Sequence, residues 1–160
     1  MKQNSITIDL DAAKKLYPLV SSDIRKQLVE NFGKEHFGLG PFELKTMDDI
    51  YYFLDMTQEQ IDEIENTPAE DEKNYRRIKK IVRALNRPNF VPNFDDSTQK
   101  KWAPIFSGGE SGFGFSRSGY GSAGTYTSLG SLLCFETEEL SDYAGKTFTQ
   151  IYKGFIINKF

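Results

Sequence analysis

The sequence predicts an α+β protein: a helical amino-terminal region followed by a small, mainly antiparallel three-stranded sheet packed against a carboxyl-terminal helix. Three observations predict it. Up to about residue 100 the chain carries most of its charge in short amphipathic patterns, whereas eight of its thirteen glycines lie between Gly108 and Gly130, among serines, threonines and aromatics. A single helical pattern then returns at the carboxyl end. Residues 1–88 therefore read as the helical region, 89–101 as a connector and 102–160 as sheet plus terminal helix, together one compact unit.

Ile6, Ile8 and Leu10 alternate with Thr7 and Asp9, the pattern of a short half-buried strand feeding a helical turn over Asp11–Tyr17 that Pro18 stops. The next helix should start at Ser21 or Ser22, carry Ile24, Leu28 and Phe32 on one face, and end at Gly33. In Thr46-Met-Asp-Asp49 the threonine can accept a backbone N–H bond, while the aspartate three residues on faces the helix's positive end. Thr57-Gln-Glu-Gln60 repeats that logic before Ile61 and Ile64. From Glu70 to Asn86, Tyr75, Ile78, Val82 and Leu85 fall on one side of a helix and Arg76, Lys80, Arg83 and Arg87 on another, until Pro88 ends it. Strands are expected at Trp102–Phe106, Gly112–Arg117 and Thr125–Glu136, the last around Leu132-Leu-Cys-Phe135, an apolar run suited to a sheet covered on both sides. Thr137 caps a final helix, Glu138–Ile157, in which Leu140, Ala144, Phe148, Ile151 and Phe155 share a face toward the sheet.

Composition narrows the chemistry. A chain of 160 residues, 38% hydrophobic and 14% aromatic, can bury a core, and its net charge of −3 argues against a generally basic coat for nucleic acid. One cysteine forms no internal disulfide, and one histidine beside it cannot complete the usual zinc sets, so no cofactor or metal is expected. There is no run of eighteen apolar residues, so the expectation is a soluble cytoplasmic or virion-associated protein, not a membrane protein.

A catalytic constellation does not emerge from the residue pattern. His36, in Gly33-Lys-Glu-His-Phe-Gly38, lacks a spaced partner and reads as a surface or packing histidine, and Cys134 among Leu132, Leu133 and Phe135 reads as core. The carboxylates read as solvated helix faces. Gly119-Tyr-Gly-Ser-Ala-Gly124 fits G-x-G-x-x-G, but Thr125-Tyr-Thr after it favours strand over the helix that motif requires, so a hairpin loop is the simpler reading. Ser111-Gly-Phe-Gly-Phe-Ser-Arg-Ser contains the heart of the RNA-recognition octamer without its leading base or closing aromatic.

Two surfaces remain as binding candidates. In a strand, Phe113 and Phe115 share one face and Gly112 and Gly114 the other; the phenylalanines either pack beneath the last helix or join Arg117, Tyr120 and Tyr126 in a ligand-binding hairpin. Residues 55–72 hold eight acids and no base, and residues 73–87 seven bases and no acid. Arg76, Lys80 and Arg83 could follow phosphates, or the basic helix could be solvated or paired with its acidic neighbour.

The strings SGFGFSRSGY, TSLGSLLCF and ETEELSDYAGKTFTQIYKGF between Lys101 and Phe155, with IDLDAAKKLYP, FGKEHF and KIVRALN nearer the amino end, resemble an uncharacterised protein family of Bacteroidetes phages and prophages. Two departures stand out: Leu132 replaces an Arg of the family pattern, and a Trp usual near Phe94 is absent. Any role resting on that Arg is incomplete here. The resemblance implies a phage context and no particular chemistry. The expectation is thus a small non-enzymatic binding module contacting a host or phage protein or a nucleotide-like ligand through the Gly108–Tyr126 region. The alternatives are a nucleic-acid or nucleotide-binding accessory protein using residues 73–87, or a minor virion component.

Overall fold

The computed structural model describes residues 7–33, 36–37, 40–86, 90–108, 112–121 and 133–157. The element order is α1 (Leu10–Leu16), α2 (Ser22–Phe32), α3 (Met47–Phe53), α4 (Gln58–Glu65), α5 (Glu70–Leu85), β1 (Lys101–Ser107), β2 (Gly114–Gly121), α6 (Glu138–Thr147) and α7 (Thr149–Ile156). The α+β class and the helical front are as the sequence predicts.

Local chemistry accounts for most helix starts. Asp9 accepts the Ala12 N–H at 2.8 Å, so Leu10 opens α1 rather than closing the expected strand, of which Ile6 lies outside the described residues. A short 3₁₀ turn, Tyr17–Leu19, takes over where Pro18 stops the α-helix. Gly33 closes α2 with φ of 93°, a conformation open to glycine. Thr46 and Thr57 each complete a capping box, with Asp49 and Gln60 bonding back to the N-cap backbone. Asp49 does more than cap: buried, it also pairs with Arg25 of α2, whose Nε donates to the Tyr17 carbonyl at 2.9 Å.

Around α5 one apolar cluster gathers Ala13, Leu28, Leu44, Ile50, Ile78, Ile81, Phe135, Ala144 and Tyr152 from both halves of the chain. Each fully buried aliphatic side chain there contributes on the order of 1.5–3 kcal/mol against exposure. α7 lies along α5, with Tyr75 and Phe155 ring centroids 5.6 Å apart.

The three-stranded sheet requires correction. Among the described residues the sheet has two strands, β1 and β2, antiparallel with Trp102 opposite Tyr120 and Ile105 opposite Arg117. Phe135 adds an isolated bridge to Trp102, with bonds of 3.0 and 2.7 Å. Residues 125–132 of the expected third strand lie outside the described residues. The rest is apolar because it enters the core beneath the end of α5: the Asn86 amide donates to the Cys134 carbonyl and accepts from the Glu136 N–H, both at 2.9 Å, taking the groups a further strand would offer.

β2 also runs further than expected, so Gly119 and Gly121 lie in a strand rather than a loop. Gly119 fits because the Ile105 side chain crosses it, 2.8 Å from where a Cβ would stand. Gly112, two residues before β2, adopts φ of 94°. Finally, the expected single helix Glu138–Ile157 is two, broken at Phe148 (φ −108°, ψ 25°). There the Thr149 hydroxyl donates to the Gly145 carbonyl at 2.6 Å, competing with the helix ladder. α6 covers the sheet, as predicted for the whole helix, whereas α7 turns onto α5.

Candidate functional site

The hairpin residues divide between the two faces of the β ribbon. Phe106, at the centre of the inner face, stacks on Phe113 at 5.1 Å, meets Phe115 edge-on at 6.1 Å and packs on Tyr152 at 4.8 Å. Phe115 also lies where a Cβ on Gly145 of α6 would sit, 2.3 Å from its ring. Phe115 thus packs beneath α6, and Phe113 is tied to the same face through Phe106. Ser118, on the same face, donates to Asp142 and shares a bond with the Ser141 hydroxyl, each at 2.8 Å, fastening the ribbon to α6.

Tyr120 continues this face beyond the helix. The residue is 56% exposed, and its ring leans on Trp102 at 4.9 Å and has Lys100 Nζ 4.7 Å from its centroid. Arg117 is exposed as well, yet it pairs with Ile105 on the opposite face, because residues three apart in a regular strand point oppositely. Arg117 and Tyr120 are therefore not brought together, and Tyr126 lies outside the described residues.

The basic helix gathers its side chains differently. A groove of about 950 Å³ runs beside α5, and the positions lining it from that helix (Glu72, Tyr75, Arg76, Lys79, Val82, Arg83, Asn86) recur every three or four residues. Lys80 flanks them. Across the groove stand Gln60, Glu63 and Ile64 of α4, Phe53 and Leu54 from the end of α3, and Phe90 and Pro92 of the connector. Arg76, Lys80 and Arg83, the three residues singled out on sequence, all line it. Arg76 bonds Glu72 at 2.7 Å, one turn earlier, and Lys79 Nζ sits 4.6 Å from the Tyr75 ring centroid. Lys80 and Arg83 have no acidic partner among the described residues.

The acidic run is partly absorbed within the fold. Arg77, on another side of α5, pairs with Glu65 of α4, and the Tyr51 hydroxyl donates to the same carboxylate at 2.5 Å. The Arg77 hydrogen bonds hold the Glu65 carboxyl below its ordinary 4.5, and burial pushes the Tyr51 phenol up. Lys73 pairs with Glu70 at 3.2 Å. Intramolecular pairing thus accounts for Lys73, Arg76 and Arg77 but leaves the Lys80–Arg83 end of the stripe to the groove. Phe53, 39% exposed, and Phe90 also line this groove and were not legible as such, since Phe53 reads only as part of the helix that Thr46 caps and Phe90 sits in a connector.

His36 is exposed, and Cys134 is buried with its thiol pKa raised by desolvation. Among the described residues no three His, Cys, Asp or Glu side chains converge as metal ligands, and no helix is long and apolar enough to cross a membrane. No protein-family model matches the sequence, and no curated protein or solved structure matches it either.

Proposed function

We propose that the chain is a non-enzymatic binding module that takes a phosphate-bearing ligand, nucleic acid or nucleotide, in the groove beside α5. The observation that carries this reading is the convergence of Arg76, Lys79, Lys80 and Arg83 on one concavity, with Lys80 and Arg83 not neutralised by described acids. Cations on a concave wall concentrate an anion more strongly than the same charges on a convex one, because the low-dielectric walls focus the field. The apolar floor supplies what a bare phosphate site lacks, contact area for a base or sugar. The phage context implied by the resemblance suits an accessory protein of this kind.

The test is titration of a fluorescent oligonucleotide with wild type and with Lys80→Ala/Arg83→Ala. Arg83 is exposed and Lys80 half-buried on the groove wall, neither with an acidic partner among the described residues, so the double variant should remain folded and bind at least tenfold more weakly. Equal binding by the two proteins removes the groove from consideration.

A second reading, a host or phage protein docking on the ribbon, is favoured by one observation: the exposed Tyr120 ring is held in place by Trp102 and Lys100. Rigid, amphipathic rings of this kind are common interface anchors. Its footprint includes Tyr120 and excludes Arg117, so capture of a partner should fall with Tyr120→Ala and not with Arg117→Ala.

A further inference from the structure

We infer that the ligand of the α5 groove is single-stranded nucleic acid, its phosphates along α5 and its bases turned onto the groove floor; this rests on the reading of the groove as a phosphate-binding surface. The two walls differ in charge. The α5 wall presents Lys79, Lys80 and Arg83 besides the Arg76–Glu72 pair, whereas the wall contributed by α4 presents Gln60 and Glu63. A single strand has the same asymmetry, with phosphates along one edge and neutral bases along the other. A duplex offers phosphates on both sides, and its second strand would meet Glu63. An acidic amphipathic helix, the other polyanion that fits a groove with an apolar floor, carries carboxylates on both flanks of its apolar stripe and meets the same repulsion.

Spacing and wall chemistry agree with a strand. Along α5 the cations stand on successive turns, Arg76, then Lys79 and Lys80, then Arg83, each turn about 5 Å on from the last, so one strand can meet them in order. From Glu72 to Asn86 the groove is about 20 Å long, enough for several nucleotides. Phe53 and Phe90 provide ring faces for bases, and sequence-tolerant stacking on such rings is how single strands are held. Glu63 and Gln60 can accept from the exocyclic amines of adenine and cytosine.

The experiment measures binding of a twelve-residue oligo-dA, the same strand annealed to oligo-dT, heparin and poly-glutamate, by wild type, Lys80→Ala/Arg83→Ala, Phe53→Leu and Phe53→Tyr. The single strand should bind at least tenfold more tightly than the duplex, heparin or poly-glutamate. Phe53→Leu, which keeps apolar bulk, should lose about tenfold for the single strand only, and Phe53→Tyr should restore it. Duplex or heparin binding equal to the single strand, with Phe53→Leu neutral, overturns the single-strand assignment while leaving a phosphate-binding groove in place. Preference for poly-glutamate overturns it in favour of an acidic protein segment. Binding to none of the four overturns both.

Discussion

At the scale of single residues, two glycines make opposite demands on the same substitution. Alanine at a helical glycine ordinarily gains about 0.8–1 kcal/mol. At Gly145 the new methyl would lie 2.3 Å from the Phe115 ring and 2.9 Å from Pro104 Cβ, two stiff neighbours, and overpacking costs about 1–3 kcal/mol. Gly145→Ala should therefore destabilise by up to about 2 kcal/mol in urea unfolding. Gly119→Ala meets only the end of the Ile105 side chain, which can rotate away, and should stay within about 0.5 kcal/mol of wild type. Glu65 supplies a second residue-level prediction. Its carboxyl is lowered, chiefly by Arg77, so the folded state holds fewer protons than the unfolded state just below pH 4.5. The stabilisation is complete above 4.5 and disappears as pH falls through the lower folded value. Glu65→Gln should cost about 1–3 kcal/mol at pH 7, part of it from leaving the Arg77 guanidinium without its counter-charge. That deficit should shrink at pH 3; a deficit constant across the range would show that the ion pair is not its source.

At the scale of elements, interactions within three or four positions were legible and those across tens of positions were not. The Thr46, Thr57 and Thr137 caps lie beside the helices they start, and each forms as read. Pairing of residues 101–107 with 114–121 is non-local, and propensity alone made Gly119 and Gly121 a loop although the ribbon holds them as strand. At the break after α6 the Thr149 hydroxyl bonds the Gly145 and Lys146 carbonyls, at 2.6 and 3.1 Å, which no hydrophobic period reports. The Asn86 clamp spans 48 positions to Cys134 and 50 to Glu136, and nothing in the sequence near Asn86 marks it. It joins the end of α5 to the segment leading into α6, so its loss should be felt by both. Asn86→Ala removes two partly buried hydrogen bonds and should cost about 1–3 kcal/mol. The accompanying sign is faster hydrogen exchange at the Glu136 amide; exchange unchanged from wild type would mean that the bond does not hold the segment.

At the scale of the whole molecule, a net charge of −3 makes the protein repel a polyanion at long range, so attraction must come from the groove within a Debye length of about 8 Å at physiological ionic strength. The basic stripe of α5 was readable in the sequence, but the concavity was not, because it needs α3, α4 and the connector to close around it. That closure limits how many counterions binding can release. Arg76 is already paired with Glu72, which leaves Lys79, Lys80 and Arg83 as effective phosphate partners. With about 0.7 counterion released per single-strand phosphate, the logarithm of the affinity should fall with the logarithm of salt concentration at a slope of about −2. Lys80→Ala/Arg83→Ala should flatten it to below about −1 in magnitude. A slope near zero in wild type would mean the ligand is not held by its phosphates. A slope of about −5 or steeper would need more cations than the groove has, and would move the site to another face of the protein.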